Sequence, residues 1–423
     1  MELGLIFIIC CFIFSITAAI KCKLPIFSTH SYLLLFCALY TAMPYLASID
    51  IYPKTVWLSS LSQRKDLLNI HFFVVGLCVI SFTITYVNTI GTFFHNKAIK
   101  HHLITKIGKL NKSEYMVFIL ISFLMIFVGS IGAFYPWSPR RLELTNSILS
   151  QSKVVVSGVF CYFFAKFGFS RYTIAIVSMF ILVAIFEGSR TSLVSIFIAM
   201  LIFNGRNLST KQTIKLIFVF ALGLIGIIFI ALNRVKVDLS NINLYDATFP
   251  IYIEGMYGSY MCLQAYDSML ISGVMAPTFG LNYFIDPIIY LVPRFVFYIF
   301  GAEKDSFNFF GQWIERVNTS GLNEKFAPYG GFFYPAEAFV ALPFLGPVIV
   351  SGLFGLLVGY LELKSANGFW GRFWYINFLV GFFMVFIKHP FIGSTHFFVT
   401  TALSSLSVVY FVKFMNKAFC ARD

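Results

Sequence analysis

Residues 67–90 read LLNIHFFVVGLCVISFTITYVNTI, twenty-four positions without an Asp, Glu, Lys or Arg. Coiled as a helix at about 1.5 Å per residue, that run reaches about 36 Å, enough to cross a hydrocarbon core of about 30 Å. Such a run predicts a membrane span. Ten further apolar runs follow the same logic: 2–20, 31–48, 114–134, 152–169, 172–187, 191–204, 215–233, 338–361, 371–388 and 394–414. The expected fold is therefore all-α, a polytopic helical membrane protein of about eleven transmembrane helices. Residues 1–233 would form an N-terminal bundle of eight spans, 234–337 one large external loop, and 338–423 a C-terminal bundle of three.

Composition agrees. Of 423 residues, 59% are hydrophobic, 19% aromatic and only 12% charged, with a mean hydropathy of +0.83. A soluble domain carries about 25% charged residues, and 19% aromatics is the opposite of a disordered composition. The net charge of +13 is then no nucleic-acid signal, because excess Lys and Arg in a membrane protein mark its cytoplasmic loops. With the N-terminus outside, the inner loops hold 17 of the 31 basic residues, against 8 in the short outer loops. The acids sort the other way, with only Glu114, Glu362 and Asp423 inside. The basic run Phe93–Lys112 fits an inner loop facing anionic lipid. No basic stretch precedes residues 2–20, which reads as a retained span rather than a cleaved leader. The eight cysteines form no C-x-x-C pair and read as small buried hydrophobes.

The stretch 282–301 is long enough to span, yet Asp286, Pro287, Pro293 and Arg294 argue against a lipid-facing helix. A membrane-skimming or re-entrant element under the external loop is expected. Pairing it with 252–273 as a hairpin would instead make thirteen spans.

Candidate chemistry lies on the outer face. Glu187-Gly188-Ser189-Arg190-Thr191 joins two short helices of about 24 and 21 Å, so this turn should sit below the membrane surface. A buried Arg190 calls for an anion, and its guanidinium matches phosphate oxygens bidentately; the alternative is an ion pair with Glu187. Arg294 in Val292-Pro293-Arg294 and Arg234 with Lys236 are further anion ligands, against the reading that such cations anchor span ends. Arg140-Arg141 is similar but weaker. His389, in Lys388-His389-Pro390, and His396 lie at the outer ends of the last two spans, where a histidine serves as base or as a polar cap. Glu337 lies where the chain returns to the membrane and is placed to orient an acceptor hydroxyl or pair with an arginine. Tyr252, Tyr257, Tyr260, Tyr283 and Tyr290 offer faces to stack on sugars, or serve as an interfacial belt. No P-loop, dinucleotide fingerprint or zinc H-E-x-x-H is present.

The Gly188-Ser189-Arg190 turn between short helices, the Leu291–Arg294 segment and the Tyr334–Gly359 re-entry, set in about eleven spans, resemble the Wzy-type O-antigen polymerases of bacterial inner membranes. The resemblance implies an integral-membrane glycosyltransferase of GT-C-like architecture with a periplasmic active site. It would transfer glycan from undecaprenyl pyrophosphate to the non-reducing end of another lipid-linked repeat unit. No metal or nucleotide sugar is implied, and no nucleic acid; membrane lipid and a chain-length regulator protein are implied partners. Arg190, Arg294 and Arg234 would hold the pyrophosphate, and His389 or Glu337 would act on the acceptor. The O-antigen ligases share the architecture and are the close alternative. A lipid-linked oligosaccharide flippase or transporter is the alternative from another class, although the two halves of the chain do not match. An acyltransferase is a third, for which His71 is the candidate.

Overall fold

In the computed structural model, residues 2–49, 64–94, 110–134, 143–187, 191–205, 255–256, 258–292, 294–301, 308–319 and 332–420 are described. All regular structure among them is helical. Seven helices come first: α1 (Glu2–Lys21), α2 (Thr29–Ser48), α3 (Lys65–Phe94), α4 (Lys112–Phe134), α5 (Glu143–Phe167), α6 (Arg171–Glu187) and α7 (Thr191–Gly205). Helix α8 covers 258–266 and runs on through a π-helical turn, Asp267–Ile271. Three short helices follow, α9 (Leu281–Leu291), α10 (Arg294–Ile299) and α11 (Phe309–Thr319). The C-terminal region holds α12 (Tyr334–Ala341), α13 (Leu345–Lys364), α14 (Phe369–Lys388, with a π-helical turn at Leu379–Phe383) and α15 (Phe391–Cys420).

Six of these helices contain stretches long and apolar enough to cross a membrane: Leu3–Lys21, Thr29–Ser48, Lys65–Gly91, Leu345–Lys364, Phe369–Lys388 and Phe391–Phe419. Two shorter apolar stretches are Arg171–Ile181 and Leu193–Phe203. The chain is a helical membrane protein. The short helices expected on either side of Gly188 are found as α6 and α7, of 17 and 15 residues. The span expected at 338–361 is broken. Leu342 is extended, the conformation favoured before a proline, and Phe344 has a φ of 59°. The chain therefore makes α12 first and starts its long helix only at Leu345.

Two compact units are present, one of Met1–Ala98, Asn243–Tyr360 and Phe386–His396, the other of Ile99–Ile242, Leu361–Val385 and Phe397–Asp423. In the first, α1 lies along α3, with Phe7 stacked on Phe73 at 4.9 Å and the Gly4 amide donating to Asn69 Oδ1. Ser15 Oγ, Thr83 Oγ1 and His30 Nε2 form a buried hydrogen-bonded row across α1, α3 and α2. Arg64 joins the start of α3 to the π-helical turn of α8 by pairing with both Asp66 and Asp267. In the second unit, buried Glu114 accepts from the Tyr162 hydroxyl at 2.8 Å and from the Lys166 ammonium, tying α4 to α5. There too, Asn377 Oδ1 accepts from Ser405 Oγ at 2.7 Å, and the Tyr375 hydroxyl donates to Glu362 at 2.9 Å.

Close packing of α13 on α3 depends on Gly352, Gly355 and Gly359, one stripe of small residues along α13. Without a hydrophobic drive between helices in lipid, such stripes let backbones approach and gain dispersion contacts. A Cβ at Gly355 would lie 2.6 Å from the Phe82 carbonyl oxygen, a backbone atom that cannot turn aside. Gly355→Leu is expected to destabilise the protein by about 1–3 kcal/mol through overpacking. Gly91→Ala, on α3 where an added Cβ would meet no neighbouring element within 4 Å, should be neutral or slightly stabilising. Thermal unfolding of the purified protein in detergent separates the two; equal midpoints would remove the close approach.

Candidate functional site

The site grows from α12. Pro335 near its start has no N–H to lose, and Phe333 before it is extended. Every residue from Tyr334 to Ala341 is buried, so α12 is enclosed on all sides, and its first turn carries the carboxylate of Glu337. In the first unit that carboxylate meets two distant segments. Asn282 Nδ2, in the first turn of α9, donates to Glu337 Oε1 at 3.0 Å. The backbone amide of Phe391, the first residue of α15, donates to Oε2 at 2.7 Å.

Asn282 is held in turn. Its Oδ1 accepts from Thr278 Oγ1 at 2.6 Å, which fixes the amide so that its NH₂ faces Glu337. Thr278 also donates its backbone N–H to Val340 of α12 at 3.0 Å. Between Thr278 and α9 the chain turns sharply through Phe279 (φ 54°) and Gly280 (φ 79°), and the second of these conformations favours glycine. Two distant segments thus converge on one buried carboxylate through bonds of ordinary length, and Thr278 braces the first of them.

Beside it lies Tyr283. Its ring packs edge-on against Phe391, with centroids 5.0 Å apart, and its buried hydroxyl has no hydrogen-bond partner among the described residues. Burial first, and then the nearby Glu337 charge, push that hydroxyl far above its ordinary pKa. One turn on, Asp286 accepts from the amides of Phe309 and Phe310 at 2.8 and 3.0 Å and so caps α11. Tyr290, near the end of α9, meets His396 edge-on at 4.9 Å. Helix α9 therefore runs beside the first two turns of α15.

Glu337 is 1% exposed and takes part in none of the ion pairs among the described residues. Burial raises its carboxyl from 4.5 to about 7, with Asp286 adding to the rise, while the Phe391 amide and Asn282 oppose it. Each oxygen accepts one hydrogen bond and keeps a second lone pair. A carboxyl with these properties can take up or give a proton near neutral pH.

Of the residues singled out in the sequence, Glu337 and His389 lie in the first unit, with His389 two positions before the amide that Glu337 binds; its carbonyl accepts from Ser394 Oγ. His396 belongs to the same neighbourhood through Tyr290. Arg294 opens α10, three residues beyond the end of α9. Arg190, Arg234, Lys236, Arg140, Arg141, Tyr252 and Tyr257 lie outside the described residues. Tyr260 is buried in α8 rather than presented to a sugar. His71 is fully buried, with Nε2 against the Tyr40 carbonyl and Nδ1 against the Tyr266 hydroxyl, both ring nitrogens engaged within the fold. No group of three or more metal-ligating side chains is present among the described residues. Sequence reading passed over Asn282 and Thr278. The available signal was an amide residue at the mouth of an apolar run, four positions before Asp286.

The raised Glu337 pKa has a thermodynamic sign. The folded state keeps the proton that the unfolded chain releases near 4.5, so this contribution to stability is full below pH 4.5 and is lost as pH rises through about 7. The shift amounts to about 3 kcal/mol. Glu337→Gln should flatten this component of the profile and leave the fold intact, because the Asn282 amide can turn over and donate to Thr278. Glu337→Ala should cost about 1–3 kcal/mol for each donor left buried and unpaired. Unfolding midpoints between pH 4 and 8 measure all three; identical slopes for the wild type and the Gln variant would mean that Glu337 does not titrate in this range.

No protein-family model, no curated protein and no solved structure matches the chain, so what this site does has to come from its own geometry.

Proposed function

We propose that the chain is a membrane glycosyltransferase that polymerises lipid-linked O-antigen repeat units, with about eleven spans, GT-C-like architecture and a periplasmic loop at 234–337 in a bacterial inner membrane. The observation that carries this reading is Glu337: a buried carboxyl with no ion pair among the described residues, its pKa pushed up by burial to about 7, outside the candidate spans and just ahead of the one that starts at Leu345. The resemblance of the Gly188–Arg190, Leu291–Arg294 and Tyr334–Gly359 segments to Wzy-type polymerases supports it.

In this reading an acceptor sugar hydroxyl gives its proton to Glu337 or His389 as its oxygen bonds to the anomeric carbon of the donor glycan. The bond from that carbon to the pyrophosphate oxygen breaks, and undecaprenyl pyrophosphate leaves with the electron pair. Arg190, Arg294 and Arg234 stabilise the charge that grows on the leaving group, the term that usually dominates such transfers. Asn282 and the Phe391 amide keep the carboxylate of Glu337 aimed while it is ionised. Few acids or bases fall near the centre of a candidate span, where a carrier would place its decisive charges, and this favours an enzyme.

Arg190→Ala and Arg294→Ala should each lower chain extension by about 10²-fold or more, and Glu337→Gln by about 10²–10⁴-fold, with protein level and membrane insertion unchanged. Lipopolysaccharide gels read the result. A full-length ladder from all three variants would sink the proposal. Deleting the gene in its host decides between neighbouring activities: lipid A core bearing a single repeat unit marks a polymerase, and bare core with intact lipid-linked polymer marks a ligase.

A further inference from the structure

Helix α9 is inside out. Its buried positions are Asn282, Asp286 and Pro287, while Leu281, Phe284, Ile288 and Leu291 face outward at i, i+3, i+7 and i+10. Phe284 is 75% exposed and Ile288 65%. A helix on a water-soluble surface has the opposite arrangement. The chain bends at Val292, which is extended ahead of Pro293, and α10 continues the apolar surface with Phe295, Tyr298 and Ile299, ending at Phe300, 79% exposed. From Ser268 to Gly301 the sequence carries only two charged residues, Asp286 and Arg294, and Asp286 is taken up in capping α11.

Neither helix can span. Eleven and six residues reach about 16 and 9 Å, against a core of about 30 Å. Their depth is set by α15. Tyr283 packs on Phe391 and Tyr290 on His396, so α9 lies beside the first two turns of a helix whose candidate span begins at Phe391. The end of a span is where hydrocarbon meets headgroups. Exposed Phe, Tyr and Ile at that level match the belt found at membrane–water boundaries.

We propose that α9 and α10 form an interfacial wedge whose outward face, from Leu281 through Phe300, is seated in membrane lipid at the headgroup–acyl boundary. The occupant is lipid rather than a second copy of the chain because this face adjoins the end of a span and shows no charged residue among those whose side chains are described. The wedge turns its polar face inward, where Asn282 holds Glu337, so one helix has lipid on one side and the buried carboxylate on the other. This goes beyond the proposed glycan transfer and does not depend on it.

The test uses the full chain in nanodiscs of phosphatidylethanolamine and phosphatidylglycerol doped with a diazirine phospholipid. The photoreactive group sits either near the headgroup or at the end of the acyl chain, and adducts are mapped by mass spectrometry. Residues 279–300 should be labelled by the headgroup-proximal probe and several-fold less by the chain-end probe, while α1 takes label from the chain-end probe as an inserted control. In Phe284→Ser/Ile288→Ser, adducts on 279–300 should fall several-fold with α1 labelling unchanged. Absence of adducts on 279–300 from wild type while α1 is labelled would overturn the proposal. So would equal labelling from the chain-end probe, which would mark a deeply inserted element, or cross-links joining two copies through this face.

Discussion

Hydrocarbon offers a polar group no water, and an unpaired N–H, C=O or charge there costs several kcal/mol. That constraint governs where this chain places the few polar side chains it has. Glu114 is surrounded by Tyr162, Lys166 and the Asn111 amide. Ser15, Thr83 and His30 Nε2 hydrogen-bond in a row. Each cluster joins helices distant in sequence, so the expense of burying polarity is offset by fixing which helix lies next to which. Glu337 is the exception in kind. Among the described residues it has hydrogen-bond donors and no ion-pair partner, so burial raises its carboxyl to about 7 with no fixed charge to hold it down.

Membrane character was legible at once, and for a simple reason: a helix that must satisfy its own backbone in lipid needs a long uninterrupted apolar run, and such runs are visible in one dimension. The reading at 67–90 becomes α3, Lys65–Phe94, and the readings at 2–20, 172–187 and 191–204 fall within a residue or two of α1, α6 and α7. Helix starts outside lipid were harder. Helix α5 begins at Glu143, nine residues ahead of the expected 152, because a polar first stretch carries no hydropathy signal. The interruption at Leu342–Phe344 was missed for the opposite reason: Leu342, Pro343 and Phe344 are apolar enough to hide in a hydropathy window, although the proline is itself the physical cause. The π-helical turns at 267–271 and 379–383 left no trace that composition could carry.

The site was half legible. Glu337 stood out because an acid beside a span is rare enough to notice, and His389 because it lies at the end of one. Their surroundings were not readable, since Asn282, Glu337 and Phe391 are 55 and 54 residues apart in sequence and meet only in the folded chain. The decisive donor at Phe391 is a backbone amide, identical at every non-proline position, so no residue type could have announced it. The same blindness applies to α9. Asp286 and Pro287 in an apolar stretch argued against an ordinary span, but which side of the helix turns inward follows only from the partners of Asp286 in α11 and of Asn282 in α12.

Those partners explain why α9 can be inside out. A short helix lying at a membrane boundary has lipid on one side and protein on the other, so hydrophobicity ceases to define its inner face; hydrogen bonding does. Asn282 and Asp286, four residues apart, fall on one stripe, and the first is spent on the α12 carboxylate, the second on the N-terminus of α11. With both of these side chains directed inward, the outer stripe of Leu281, Phe284, Ile288 and Leu291 is matched by an apolar neighbour. The placement of two side chains thus sets both the contact that aims Glu337 and the surface that needs lipid, and a change on either side of α9 should be felt on the other.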